Sequence, residues 1–101
     1  MARRWSAPEQ VRSAIVSARV RIYTTGACAF CRRAEALLAA RGVEHLEKLR
    51  VDLDPKLLVE MRRLTGRRTV PQIFINEHHV GGYNELAAID RDGALKALLT
   101  P

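Results

Sequence analysis

The order of strand-like and helical segments is the feature that most constrains how this chain can fold. Apolar residues recur at helical spacing in residues 29–41 and 54–66, and each stretch lies between segments that favour β-strands. Those strand-like segments are residues 20–24, 43–52 and 70–75. Connections that contain a helix are typical of parallel neighbours, so we expect the first strands to be parallel.

The C-terminal third predicts a hairpin followed by helix. A turn at residues 76–78 and glycines at 81–82 bound a short fourth strand, which the short connection makes antiparallel to the third. Residues 83–90 and 94–99 predict helix, with an interruption at Gly93. The whole pattern predicts an α/β fold with a four-stranded mixed sheet flanked by helices, which is the thioredoxin-like architecture.

The second strand has an irregular apolar pattern. Leu49 and Val51 alternate with charged residues, which indicates a half-buried strand ending at Asp52. Leu46 is out of phase with Leu49, which indicates either a bulge or a later strand start.

Length and composition allow one domain with an N-terminal extension. The chain has 101 residues, of which 48% are hydrophobic, and no apolar run approaches the ~20 residues that cross a bilayer. Residues 20–101 form the predicted domain. Residues 1–19 form a helical extension, with an amphipathic helix at 8–18 after a Ser-x-x-Glu capping pattern. No apolar signal-peptide core follows the first arginines, so we expect a cytoplasmic location; a mitochondrial transit peptide is the weaker alternative.

The net charge of +6 does not by itself indicate a nucleic-acid partner. The arginines are scattered in pairs without interleaved aromatic residues, of which the chain has five. We therefore expect a solvated basic surface; the alternative is that some of the pairs bind small acidic substrates. The pairs are Arg3-Arg4, Arg32-Arg33, Arg62-Arg63 and Arg67-Arg68.

The only two cysteines, Cys28 and Cys31, lie where the first strand gives way to a helix. A secreted disulfide framework would carry more cysteines at wider spacing, so the pair indicates redox or metal chemistry. A helix N-terminus stabilises a thiolate through its dipole and free N–H groups. Cys28 is therefore the expected nucleophile, and Cys31, on the same helical face, the cysteine that resolves the mixed disulfide.

Zinc is the alternative for such a pair, with His78 and His79 as further ligands. Adjacent strand residues point to opposite faces, which makes joint coordination of one ion difficult. We therefore expect no metal site.

Two backbone features accompany the cysteines. A cis peptide at Pro71 would leave the backbone of Val70 free to pair with an extended thiol peptide. The Gly81-Gly82 turn into a helix either ends the hairpin only or also presents N–H groups to a carboxylate.

Together these residues resemble the glutaredoxin family, particularly its small bacterial dithiol members. The resemblance runs from Val20 to the C-terminus. It rests on Ile22-Tyr23-Thr24 before Cys28-x-x-Cys31, on Thr69-Val70-Pro71-Gln72-Ile73-Phe74-Ile75, and on Gly81-Gly82.

The resemblance implies glutathione-dependent reduction of protein disulfides and of glutathione mixed disulfides. Cys28 would form the mixed disulfide with glutathione, Val70 would pair with its backbone, and Arg67 would contact its glycine carboxylate. The turn at residues 82–84 would receive the γ-glutamyl end. The implied substrate-binding residues are Thr25, Phe30, Arg67, Thr69, Val70, Pro71, Gly82, Tyr83 and Asn84. The implied partners are glutathione and disulfide-containing or glutathionylated proteins, with the chain acting as a monomer.

Three positions depart from the family pattern. Ala29 replaces a common proline, Thr25 a usual lysine, and Asn84 a usual acidic residue. Some members without the proline hold a 2Fe–2S cluster between two subunits, each giving its first cysteine, here Cys28, with two glutathiones as the other ligands. A glutathione-ligated cluster-binding dimer is thus the alternative function, and a thioredoxin-like protein reduced by a flavoenzyme is a third.

Overall fold

The computed structural model describes residues 17–100, which contain four strands and four helices. The strands β1 to β4 are Val20–Thr24, Leu46–Arg50, Gln72–Ile75 and His78–Gly81. The helices α1 to α4 are Ala29–Ala40, Pro55–Thr65, Tyr83–Arg91 and Ala94–Leu99. The strands form one sheet in the order β2-β1-β3-β4, which confirms the predicted four-stranded mixed sheet.

Strand directions match the prediction for the parallel pair β1 and β2 and for the antiparallel pair β3 and β4, but not for β1 and β3. Strand β3 runs antiparallel to β1, so the second helical connection does not give a parallel strand. Arg50, which ends β2, pairs with Thr24, and Gln72, which begins β3, pairs with Tyr23. The connection that contains helix α2 therefore starts and ends at the same end of the sheet, the end where β1 finishes. The 11 residues of α2 span about 16 Å, enough to cross the two inter-strand spacings of about 10 Å in total.

Each face of the sheet has its own hydrophobic cluster. Alternate residues of β1 and β3 point to opposite faces, so the strands supply apolar side chains to both. One cluster joins the sheet to α1, α3 and α4 through Ile22, Leu38, Ile73, Leu86 and Leu99. The other joins it to α2 through Tyr23, Val51, Met61 and Phe74. The predicted helices on both faces are confirmed.

This two-sided burial explains the irregular pattern of β2. The strand begins at Leu46 and pairs with β1 in continuous register, so the later start is right and the bulge is wrong. Leu46 packs against the first cluster and Leu49 against the second, on opposite faces. Val51 and Asp52, predicted within the strand, lie in the turn after it.

Local signals set the bounds of α2 and of the hairpin. The Asp54 side chain accepts a hydrogen bond from the Lys56 N–H at 3.0 Å, which caps α2 as predicted. A cis Val70–Pro71 peptide precedes β3, the geometry considered for this proline in the sequence. Strand β3 starts at Gln72 rather than residue 70, and β4 starts at His78, one residue before its predicted start.

The predicted N-terminal helix lies outside the described residues except for its end. Ser17 and Ala18 are not helical, so the prediction of helix to residue 18 is wrong there. The Ser17 N–H donates to the Leu99 carbonyl at 3.1 Å, and Arg19 and Asn76 exchange hydrogen bonds at 2.7 and 3.0 Å. None of the helices within residues 17–100 is both long and apolar enough to cross a membrane.

Candidate active site

Cys28 is the N-cap residue of α1. Its backbone is extended, with φ −136° and ψ 111°, and its Sγ accepts a hydrogen bond from the Cys31 N–H at 3.1 Å. The sulfur thus occupies the place that a serine or aspartate oxygen takes at other helix starts. A negative charge on this sulfur is stabilised by the helix N-terminus, which is the condition for a reactive thiolate.

Cys31 lies beneath Cys28 in the first turn of the helix. Both cysteines are free, but Cys28 is half-buried while Cys31 is only 1% exposed. Burial, reinforced by the hydrogen bond with Cys28, raises the pKa of the Cys31 thiol; Thr24 and the Thr25 backbone oppose this. Of the two sulfurs, Cys28 is the one that a substrate can reach.

A charged clamp holds the loop before Cys28. Arg50 donates two hydrogen bonds to the Asp52 carboxylate at 2.7 and 2.8 Å, and the Gly26 N–H donates to the same carboxylate at 3.2 Å. Arg32 donates to the Gly26 carbonyl at 3.3 Å from the other side. The Arg50 guanidinium holds the pKa of the Asp52 carboxyl well below its usual range. No sequence motif links these residues, since only the fold brings residues 26 and 52 together.

A cleft of about 250 Å³ opens beside Cys28. The Cys28 Sγ lies 4.0 Å from the Val70 carbonyl oxygen, at the entrance to β3. Eight residues expected from the resemblance line this cleft, namely Phe30, Arg67, Thr69, Val70, Pro71, Gly82, Tyr83 and Asn84. Gln72 and Glu85 line it as well. Thr25, the ninth expected residue, is not part of the lining; its backbone interacts with Cys31 instead.

Aromatic rings form one side of the cleft. The Phe30 and Tyr83 ring centroids are 6.0 Å apart at a tilt of 37°. Phe30 is 51% exposed, and the Arg33 guanidinium lies 5.2 Å from its centroid on the outer side. Phe30 is two residues after the nucleophile, and its exposed apolar ring is suited to cover a bound ligand.

The cleft already binds one of the protein's own carboxylates. Glu85 Oε1 accepts a hydrogen bond from the Gly82 N–H at 2.6 Å and lies 3.3 Å from Arg67 Nη1. The Gly82 N–H, with help from Arg67, lowers the pKa of the Glu85 carboxyl. Gly82 is the N-cap of α3, so a helix terminus and a guanidinium converge here on one anion.

The two histidines of β4 have different surroundings. His79 stacks on Phe74 with centroids 5.0 Å apart, whereas His78 is exposed. In residues 17–100 no three His, Cys, Asp or Glu side chains are grouped as metal ligands.

A free dithiol at the first turn of a helix, on a thioredoxin-like sheet, defines the class of protein: this is a thiol–disulfide oxidoreductase. The family model for glutaredoxin matches residues 20–80, and the chain belongs to the glutaredoxin family.

Individual proteins agree with this assignment. A glutaredoxin of Neisseria meningitidis is 46% identical over 82 residues, covering 81% of this chain and 96% of that protein. The solution structure of glutaredoxin from Brucella melitensis is 41% identical with a TM-score of 0.73, covering 86% of this chain and 91% of that one. A crystal structure of the buckwheat glutaredoxin–glutathione complex shares the fold at 24% identity and a TM-score of 0.74, covering 90% and 84% of the two chains.

Proposed function

We propose that this protein reduces glutathione mixed disulfides and protein disulfides at the expense of glutathione. The observation that carries the proposal is the cleft beside Cys28. Its lining includes Val70, whose carbonyl oxygen lies 4.0 Å from the Cys28 sulfur, and a carboxylate-binding pair, Arg67 and the Gly82 N–H. Glutathione is a thiol with two carboxylates and one amine. A cleft that has a guanidinium and helix N–H groups and lies beside a thiol matches that chemistry.

Deglutathionylation needs Cys28 alone. The Cys28 thiolate attacks the glutathione sulfur of the mixed disulfide, and the protein thiolate leaves with the electron pair of the broken S–S bond. A second glutathione thiolate then attacks the Cys28–glutathione disulfide. Oxidised glutathione is released and the Cys28 thiolate is restored.

Reduction of a protein disulfide uses both cysteines. Cys28 attacks one substrate sulfur and releases the other as a thiolate. Cys31 then loses its proton and attacks Cys28, which frees the substrate and leaves a Cys28–Cys31 disulfide for two glutathiones to reduce. Because burial raises the pKa of Cys31, its thiol stays protonated until the mixed disulfide has formed.

Features of the cleft support the binding of glutathione in an extended form. Val70, with its carbonyl 4.0 Å from the Cys28 sulfur, offers backbone groups beside the point of attack. Arg67 and the Gly82 N–H bind the Glu85 carboxylate in this structure, so a glutathione carboxylate would take its place there. The displaced Glu85 carboxylate suits the amine and in part replaces the acidic residue that is usual at position 84. The buckwheat relative with this fold was solved as a glutathione complex, which accords with the proposal.

Single cysteine variants test this division of roles. We expect Cys28→Ser to abolish all thiol transfer, and Cys31→Ser to keep deglutathionylation but lose dithiol reduction of protein disulfides. The assay is turnover of a glutathionylated peptide coupled to glutathione reductase, with thioredoxin reductase as the alternative electron donor. Substantial glutathione-dependent turnover by Cys28→Ser would refute the mechanism. Turnover supported by thioredoxin reductase alone would establish the thioredoxin-like alternative instead.

Ala29 favours a second candidate, the glutathione-ligated 2Fe–2S dimer. Ala29 is exposed and places no proline ring beside Cys28. Since Cys31 is buried, Cys28 is the single accessible sulfur of residues 17–100, so a cluster would need two copies and two glutathione thiolates. Anaerobic reconstitution with iron, sulfide and glutathione tests this: visible absorbance in a dimeric fraction supports it, and a colourless monomer refutes it.

A further inference from the structure

Gln72 is a buried polar residue that lines the cleft. It is only 1% exposed, yet its side-chain amide both donates and accepts hydrogen bonds. Its Nε2 donates to the Thr69 carbonyl at 3.0 Å, with the Thr69 hydroxyl at 3.5 Å, and its Oε1 lies 2.8 Å from His79 Nε2. A buried amide satisfied in this way fixes the groups that it joins.

The chemistry of these partners sets the direction of every bond in the chain of contacts. The Thr69 carbonyl can only accept, so the amide nitrogen of Gln72 must face it and the amide oxygen must face His79. His79 Nε2 must therefore carry a proton and donate it to Gln72. Burial lowers the pKa of His79, and the charge of Arg67 adds to this while Glu85 opposes it.

His79 is held from two other directions. Its ring stacks on Phe74 with centroids 5.0 Å apart, and the two residues are register partners between β3 and β4. The β3–β4 register shifts between Ile73 and Phe74, and this irregularity places His79 opposite Phe74. The donor is thus fixed by the sheet, not by a loop.

We propose that His79 is a positioning residue for the cleft. It holds the Gln72 amide, which holds the Thr69 carbonyl, and through it the adjoining Val70 backbone beside Cys28. The inference rests on the proposed function, because Val70 is where the glutathione backbone is proposed to pair. Loss of the His79 donor loosens a binding edge used equally by ground and transition states, which raises KM more than it lowers kcat.

Three variants of the full chain separate this role from simple stabilisation. His79→Phe keeps a ring to stack on Phe74 but removes the donor. His79→Gln places an amide N–H near the position of Nε2 and restores the donor. His78→Phe is the matched control, since His78 is the neighbouring exposed histidine on the same strand.

We expect His79→Phe to raise KM for a glutathionylated peptide about fivefold, the effect of one net hydrogen bond, with kcat changed less than about twofold. His79→Gln and His78→Phe should stay near the parent KM. In a Gln72→Met background, His79→Phe should add nothing further. An unchanged KM in folded His79→Phe, no rescue by His79→Gln, or full additivity with Gln72→Met would overturn the inference.

A second measurement does not depend on turnover. Backbone ¹⁵N order parameters of Thr69 and Val70 should fall in His79→Phe and remain at the parent value in His78→Phe. Absence of glutathione-dependent turnover in the parent chain refutes the proposed function but leaves this test standing. Unchanged order parameters would refute the positioning role, whatever the activity.

Discussion

Replacing Gly81 by alanine is expected to destabilise the protein through the carboxylate that caps α3. Gly81 has φ +117°, and a Cβ there would lie 2.7 Å from Glu85 Oε1, 3.1 Å from its Cγ and 3.2 Å from its Cβ. Since three atoms of one side chain are crowded, rotation of the carboxylate alone does not relieve the contact. Glu85 must leave the Gly82 N–H, to which it is bound at 2.6 Å.

The magnitude follows from two contributions. A left-handed backbone at a non-glycine residue costs about 1–2 kcal/mol, and a lost helix cap costs about 1 kcal/mol. Gly93 provides the matched control, because it has φ +87° with nothing within 4 Å of its would-be Cβ. We therefore expect Gly93→Ala to cost about 1–2 kcal/mol and Gly81→Ala about 2–3 kcal/mol.

Urea denaturation of the reduced protein, followed by far-ultraviolet circular dichroism, measures both free energies of unfolding. The entropy that alanine removes from the unfolded chain is common to both variants and cancels in their difference. In a Glu85→Ala background the Oε1 and Cγ contacts and the cap are gone and only the 3.2 Å contact with Cβ remains, so most of the excess cost of Gly81→Ala over Gly93→Ala should disappear. An excess that persists there undiminished, or no excess in the parent, would refute the reasoning.

Two further outcomes follow from the buried groups of the sheet and site. Because Cys31 is 1% exposed and burial raises its pKa, iodoacetamide at pH 8 should modify Cys28 alone, with a second adduct in the mass spectrum only after unfolding; equal labelling would contradict this burial. Burial and a hydrogen bond to Glu60 raise the pKa of Tyr23 from 10.0 to about 12. The raised value favours the neutral phenol in the folded state, so its contribution to stability is complete below pH 10 and is lost as the pH rises towards 12. The free energy of unfolding of the parent relative to Tyr23→Phe should therefore fall across that window, and a constant difference would contradict the shift.

Features set by neighbouring residues could be predicted from the sequence. Asp54 and Pro55 mark the start of α2 because a cap and a first-turn proline act within one helical turn. Cys28 and Cys31 come together for the same reason, since three residues of helix bring them to one face. Eight of the nine expected substrate-binding residues line one cleft, a grouping that came from the family resemblance.

Features set by distant parts of the chain could not. The direction of β3 depends on where α2 re-enters the sheet, which the length of a helix alone does not fix. The sequence pattern predicts that Asp52 ends a strand. Its hydrogen bond with the Gly26 N–H exists only because β1 and β2 are neighbours. The contact between Gln72 and His79 likewise depends on a register shift that no local pattern reveals.

The nucleophile of this protein is also the cap of the helix that carries it. The Cys28 sulfur accepts the Cys31 N–H, and a sulfur engaged in a disulfide is a poorer acceptor than a thiolate. The cap therefore stabilises the reduced form more than the oxidised one, and the same free energy enters the reduction potential. A difference of about 1 kcal/mol makes the pair more oxidising by about 20 mV in a two-electron couple. One hydrogen bond thus contributes both to the folding stability of the protein and to the reduction potential of its cysteine pair.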